Sequence, residues 1–147
     1  PAVLEALARA QVILHAGDVV SPAALDGFRA LAAGSGARFH AVLGNNDGAL
    51  AGSLPETVLV ELGGVRVGMV HDAGRREGRP ARLHRRFPAA DLVVFGHSHV
   101  PCDEIGMGGQ RLFNPGSPTQ RRAQPERTVG LLELAGGQVR RHLIRPV

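Results

Sequence analysis

The segment VVFGHSHVP, Val93 to Pro101, carries an apolar run into a glycine and then sets His97 and His99 two positions apart. In an extended segment, residues i and i+2 face the same way, so this spacing aims two imidazoles at one place. Imidazole is the commonest protein metal ligand. A His-x-His pair is a weak signal alone, but three other polar clusters share its setting. HAGD (His15 to Asp18), GNND (Gly44 to Asp47) and VHD (Val70 to Asp72) each follow directly on an apolar run. Asp18, Asn45 and His71 thus add a carboxylate, a carboxamide and a third imidazole. This mixed oxygen and nitrogen set suits a divalent cation such as Mn, Fe or Zn. A carboxylate can bridge two such ions, and a pair roughly 3.5–4 Å apart is a recurring device for in-line attack on phosphorus.

Strand ends would have to bring these residues together. VLEALARA places Val3, Leu4 and Leu7 on one helical face, and QVIL reads as a short strand. SPAALDGFRALAAG predicts a helix with Ser21 as N-cap and Pro22 at its first position, with Leu25, Phe28 and Leu31 inward and an end near Gly34. RFHAVL is a strand running into GNND. TVLVELGGVRVGMVH is a hairpin about Gly63-Gly64 whose second strand ends at His71. Arg79 to Phe87 is a basic helix stopped by Pro88, and DLVVF is a buried strand. Two more hairpins turn near Gly108-Gly109 and Gly136-Gly137, with NPGSPTQRR between them. The pattern predicts one mixed-sheet α/β domain over residues 1–147. In such folds the carboxyl ends of the strands form the crevice where sites occur.

Composition narrows the function classes. Of 147 residues, 44% are hydrophobic and 20% charged, as in ordinary globular proteins. No apolar run nears the ~20 residues of a membrane span, so no membrane association is expected. Cys102 is the only cysteine, which excludes an internal disulfide and makes a cytoplasmic setting the expectation. The net charge of +4 comes entirely from arginine, since the chain has no Lys, Tyr or Trp and only five Phe. With so little to stack on bases, no specific nucleic-acid partner is expected. Exposed hairpin edges make a homodimer a reasonable expectation.

Taken in order, Gly17-Asp18, Gly44-Asn45, His71 and Gly96 to His99 resemble the calcineurin-like metallophosphoesterases. The short length, the NPGS segment (Asn114 to Ser117) and the closing hairpin narrow this to the small YfcE-type phosphodiesterases. The resemblance spans essentially the whole chain. It implies a four-layer αββα sandwich of two mixed β-sheets and a dinuclear centre. Asp18 would bridge both metals, Asn45, His71 and His97 would complete one, and His99 would serve the other. The ions implied are divalent, Mn first, with Fe, Zn or Ni as alternatives. The implied activity is a phosphodiesterase acting on a small phosphoester, with Asp18, Asn45 and His97 as catalytic residues and a metal-bridging hydroxide attacking phosphorus. Asn45, Asn46, Arg121 and Arg122 would contact the substrate, and the Asn114–Ser117 backbone would line the mouth.

The chain also departs from the family pattern. The second metal there draws on an Asp-x-His at the end of a first strand, and residues 1–147 contain none. That strand is expected to precede Pro1 in the whole molecule; a chain that lacked it would keep one metal. Larger relatives carry a histidine where Asn46 stands, and Asn cannot donate a proton usefully near neutral pH. Esters with good leaving groups, diesters above unactivated monoesters, are therefore expected. His71-Asp72-Ala73 replaces a His-Gly-His form, and Ser21 ends what is elsewhere GDxxD. An interaction scaffold, the role of the retromer subunit of this fold, is the alternative reading. Outside the motifs, His15 reads as a core or second-layer histidine and Asp47 as a turn residue or a support for Asn45. The arginines Arg75, Arg76, Arg79, Arg82, Arg85 and Arg86 read as a solvated face, and Cys102 as a packed residue.

Overall fold

The computed structural model describes residues 2–147. The elements follow in the order α1 (Ala2–Ala8), β1 (Val12–His15), α2 (Pro22–Ser35), β2 (Arg38–Ala41), β3 (Thr57–Leu62), β4 (Val65–Val70) and α3 (Arg79–Arg86). After them come β5 (Leu92–Phe95), β6 (Cys102–Ile105), β7 (Arg111–Asn114), β8 (Thr128–Ala135) and β9 (Gln138–Pro146). No helix among the described residues is long and apolar enough to cross a membrane.

Local chemistry sets the helix ends. Ser21 is extended and its hydroxyl accepts the Ala24 N–H at 3.2 Å, with Pro22 opening α2. The helix runs one residue past Gly34, to Ser35. It stops where Gly36 turns left-handed (φ 72°) and where the N–H groups of Gly36 and Ala37 reach back to Ala33 and Ala32. Gly34 stays helical because a glycine ends a helix only where the backbone takes that left-handed turn.

The central sheet has five strands in the order β3-β4-β5-β7-β6. Strands β4, β5 and β7 are parallel, and β3 and β6 are antiparallel edges. Alternation along its strands gives it two apolar faces. Val65, Val67, Met69, Leu92, Val94 and Phe113 form one face. Val12 and Leu14 of β1, Leu132 and Leu134 of β8, and Val139 and Ile144 of β9 pack against it. The parallel pair β1–β2 and the antiparallel hairpin β8–β9 thus make up the second β layer. Val70, Val93, Phe95 and Leu112 form the opposite face, under Leu83 and Phe87 at α3. Helix α2 covers the far side of β1–β2, with Leu25 and Phe28 against Phe39 and Ala41. The result is the expected αββα sandwich. The loops after β1, β2, β4 and β5 carry the four polar clusters.

Candidate metal centre

The loops after β1 and β2 approach so closely that only glycine fits between them. A Cβ on Gly17 would run into the His71 ring, and one on Gly44 into the backbone N and Oδ1 of Asp18. The β1 loop is also wound left-handed, with φ of 96° at Gly17, 59° at Asp18 and 82° at Val20. A β-branched residue rarely adopts such an angle. Asp47 holds it there. Its buried carboxylate accepts the Val20 N–H at 2.6 Å and the Gly44 N–H at 2.7 Å, tying the two loops together. Burial alone would push this carboxyl up, but donors from the backbone of Val20, Gly44, Val19 and Asp18 together hold it below the usual carboxylate range. A clip between residues 27 apart leaves no local signal, which is why the sequence shows Asp47 only as a turn residue.

Within this frame the predicted ligands converge. The Asn45 Oδ1 lies 2.9 Å from both His71 Nε2 and His97 Nδ1, and those two nitrogens are 3.2 Å apart. Asp18 Oδ2 is 3.5 Å from His71 Nε2. The tautomer of buried His71 follows from its other nitrogen: Nδ1 donates to the Ala16 carbonyl at 2.7 Å, so Nε2 presents a lone pair. It faces the Asn45 oxygen, an acceptor too, and a carboxylate. Acceptors turned on one another repel unless a cation lies among them. Ligands bonded at about 2.1 Å and set at right angles lie roughly 3 Å apart, the spacing found here. Among the described residues no three His, Cys, Asp or Glu side chains suffice by themselves to hold a metal ion, and the Asn45 oxygen completes the set. The donors fit a divalent ion.

His97 and His99 reach this region by a route the sequence did not suggest. Neither is extended; both are left-handed, with φ of 64° and 60°. His97 joins Asn45 and His71, and its Nε2 stands 4.0 Å from Asp72, a neighbour with no signal beyond adjacency to His71. His99 makes none of those contacts. Its Nδ1 donates to the Gln120 carbonyl at 2.6 Å, which leaves Nε2 free. Burial lowers its pKa, as does the charge of Arg122, against the Gln120 hydrogen bond and the Asp18 charge, which raise it. A neutral imidazole is the form that binds metal.

The NPGS loop supports this arrangement. Buried Asn114 donates to the Gly96 carbonyl (3.1 Å) and Ser98 Oγ (3.2 Å) and accepts the Gly116 N–H. Ser117 Oγ accepts the Gln120 N–H at 3.1 Å, which fixes the residue that holds His99. Of the expected substrate contacts, Asn46 spends itself on Asp18, its N–H on Oδ1 and its amide on Oδ2, both at 3.0 Å. Arg121 is not brought to the cluster: its guanidinium turns back on its own loop, to the Gln124 and Pro125 carbonyls. Arg122 is the member of that pair whose charge reaches His99.

Residues 1–137 match the sequence profile of the calcineurin-like phosphoesterase superfamily domain. A probable metallophosphoesterase of Methanothermobacter thermautotrophicus is 32% identical over 146 residues, 98% of this chain and 81% of that protein. Another, from Methanocaldococcus jannaschii, is 30% identical over 80% of this chain, which spans 58% of that protein. Among solved structures, a Thermotoga maritima protein is 28% identical with a TM-score of 0.74, covering 99% of this chain and 86% of that one. A single mutant of Vps29 from Entamoeba histolytica is 25% identical with a TM-score of 0.73, covering 100% and 89%.

Proposed function

The chain belongs to the calcineurin-like phosphoesterase superfamily, and from that membership we propose that it is a metal-dependent phosphodiesterase acting on small phosphoesters with good leaving groups. The observation that carries this reading is the convergence of Asn45 Oδ1, His71 Nε2 and His97 Nδ1, with Asp18 beside them, on one point. Asp18, Asn45, His71 and His97 would hold one divalent ion, and Asp18 with His99 would contribute to a second. Such ions, with Mn the first choice, supply a hydroxide nucleophile at neutral pH and neutralise charge on the phosphoryl oxygens.

The protein's own residues do the rest. The Ala16 carbonyl keeps the His71 lone pair aimed inward, and the Gln120 carbonyl fixes the tautomer of His99. Asn46 clamps Asp18 through both of its oxygens, and its amide could not protonate a leaving group. With no acid at that position, departure depends on the leaving group's own stability, which favours activated diesters. Arg122 lends positive charge at the mouth.

The likeness to Vps29 favours a second reading, an interaction scaffold of the same fold. Hydrolysis of bis(p-nitrophenyl) phosphate separates the two. With added Mn the protein should release p-nitrophenolate, a chelator should stop it, and His97→Ala should lower kcat/KM by about 100-fold or more while the circular dichroism stays unchanged. A Mn-loaded, folded protein inert toward every phosphoester tried would leave the scaffold.

A further inference from the structure

A groove of about 380 Å³ is lined by Ser98, the residue between His97 and His99, and by Arg76, Arg79, Cys102 and Glu104. Its arginine wall is built. Arg82 fastens the loop after β4 by donating to the Ala73 carbonyl at 3.0 Å and to the Arg75 and Glu77 carbonyls. Arg79 lies over the Phe95 ring, 5.0 Å from its centroid, and donates to the Gly74 carbonyl at 3.0 Å. Its Nε–H is buried and has no hydrogen-bond partner. Neither Arg76 nor Arg79 takes part in an ion pair among the described residues. Ser98 Oγ accepts from Asn114 and from the Val100 N–H, so its own proton remains to be donated. Two guanidinium groups, a spare hydroxyl and an orphaned buried donor all call for an oxyanion. Glu104 and Asp103, on the same groove, oppose one, although Asp103 is already paired with Arg111 and His142.

We propose that this groove binds an anionic group, a second phosphate or a carboxylate, on the non-reacting arm of the substrate. The inference rests on the phosphodiesterase reading and narrows its substrates to esters charged beyond the scissile phosphorus. Ser98 links the two places, since the loop that offers His97 and His99 to the metal also forms one end of the groove.

Three p-nitrophenyl phosphodiesters with the same leaving group test this, the second arm being ethyl, 2-carboxyethyl or 2-phosphoethyl. The expected result is a kcat/KM at least about tenfold higher for a charged arm than for ethyl, and the better of the two identifies the anion. Arg76→Gln and Arg79→Gln should erase the preference and leave the ethyl ester unchanged, whereas Glu104→Gln should enlarge it. Equal rates on all three esters in the wild-type protein, or a preference that survives both arginine substitutions, would overturn the proposal. No hydrolysis even of the ethyl ester would instead count against the phosphodiesterase reading. A readout free of activity decides the groove in that case: with chelator present, millimolar inorganic phosphate should shift the Arg79 Nε–H resonance. A resonance that does not move refutes the groove as an anion site.

Discussion

Asp47 shows how much one side chain does at this centre. It is fully buried, ionised, and bonded to the N–H groups of Val20 and Gly44, and so joins the loop of Asp18 to the loop of Asn45. Asp47→Ala leaves both part-buried donors without their acceptor and should cost about 2 kcal/mol in urea unfolding, with Asp47→Asn, which keeps one acceptor, losing about half of that. Metal affinity should fall with it, since Val20 then has nothing to hold its left-handed turn. Asp18, Asn45 and His71 were legible because each closes an apolar run. The expected pairing of His97 with His99 on one face does not hold in the fold. Alternation in a strand suggested a shared direction, whereas both residues are left-handed and take different partners. Arg121 and Arg122 are indistinguishable in sequence, and only the fold separates them.

At the level of elements, helix α3 departs furthest from expectation. Its arginines read as a solvated face, yet Arg82 gathers the carbonyls of Ala73, Arg75 and Glu77 and Arg79 stacks on Phe95. The helix therefore anchors the loop that follows His71. Arg82→Ala should speed hydrogen exchange of the Gly74–Gly78 amides by about tenfold or more while those of β5 stay protected. Strands and turns were more transparent. Val65, Val67 and Met69 alternate as a core strand should, and Gly63 and Gly64 take the positive φ angles of a two-residue hairpin turn. The end of α2 moved from Gly34 to Gly36 because either glycine could have stopped it.

For the molecule as a whole, the mixed-sheet α/β class followed from the order of strand and helix signals, and the layer order only from the resemblance to the calcineurin-like phosphoesterases. The assembly of the second layer from two separate ladders followed from neither, because strand pairing between distant segments carries no local signature. Long-range polar links add pH sensitivity. Asp91 accepts from the Arg66 guanidinium and from its backbone N–H, tying the start of β5 to β4. The side-chain hydrogen bond to Arg66, followed by the backbone one, lowers the Asp91 pKa. A carboxyl lowered on folding stabilises fully above its unfolded pKa of about 3.9, and that stability is lost as pH falls through the lower folded value. Both side chains are substantially exposed, which keeps the effect small. Asp91→Asn should lower Tm by a degree or two at pH 7 and by nothing near pH 2, so the two melting curves converge in acid.

The clips formed by Asp47, Asn114 and Ser117 join side chain to backbone and contain no metal donor. The centre is thus preorganised by the polypeptide itself. The fold then does not depend on the metal: a chelator should remove the ion without unfolding the protein, and each tenfold rise in free metal above the dissociation constant should add only about 1.4 kcal/mol of stability by mass action. An ion can be exchanged for another of like charge with no rebuilding of the chain around it. Which metal is resident becomes a matter of supply as much as of sequence.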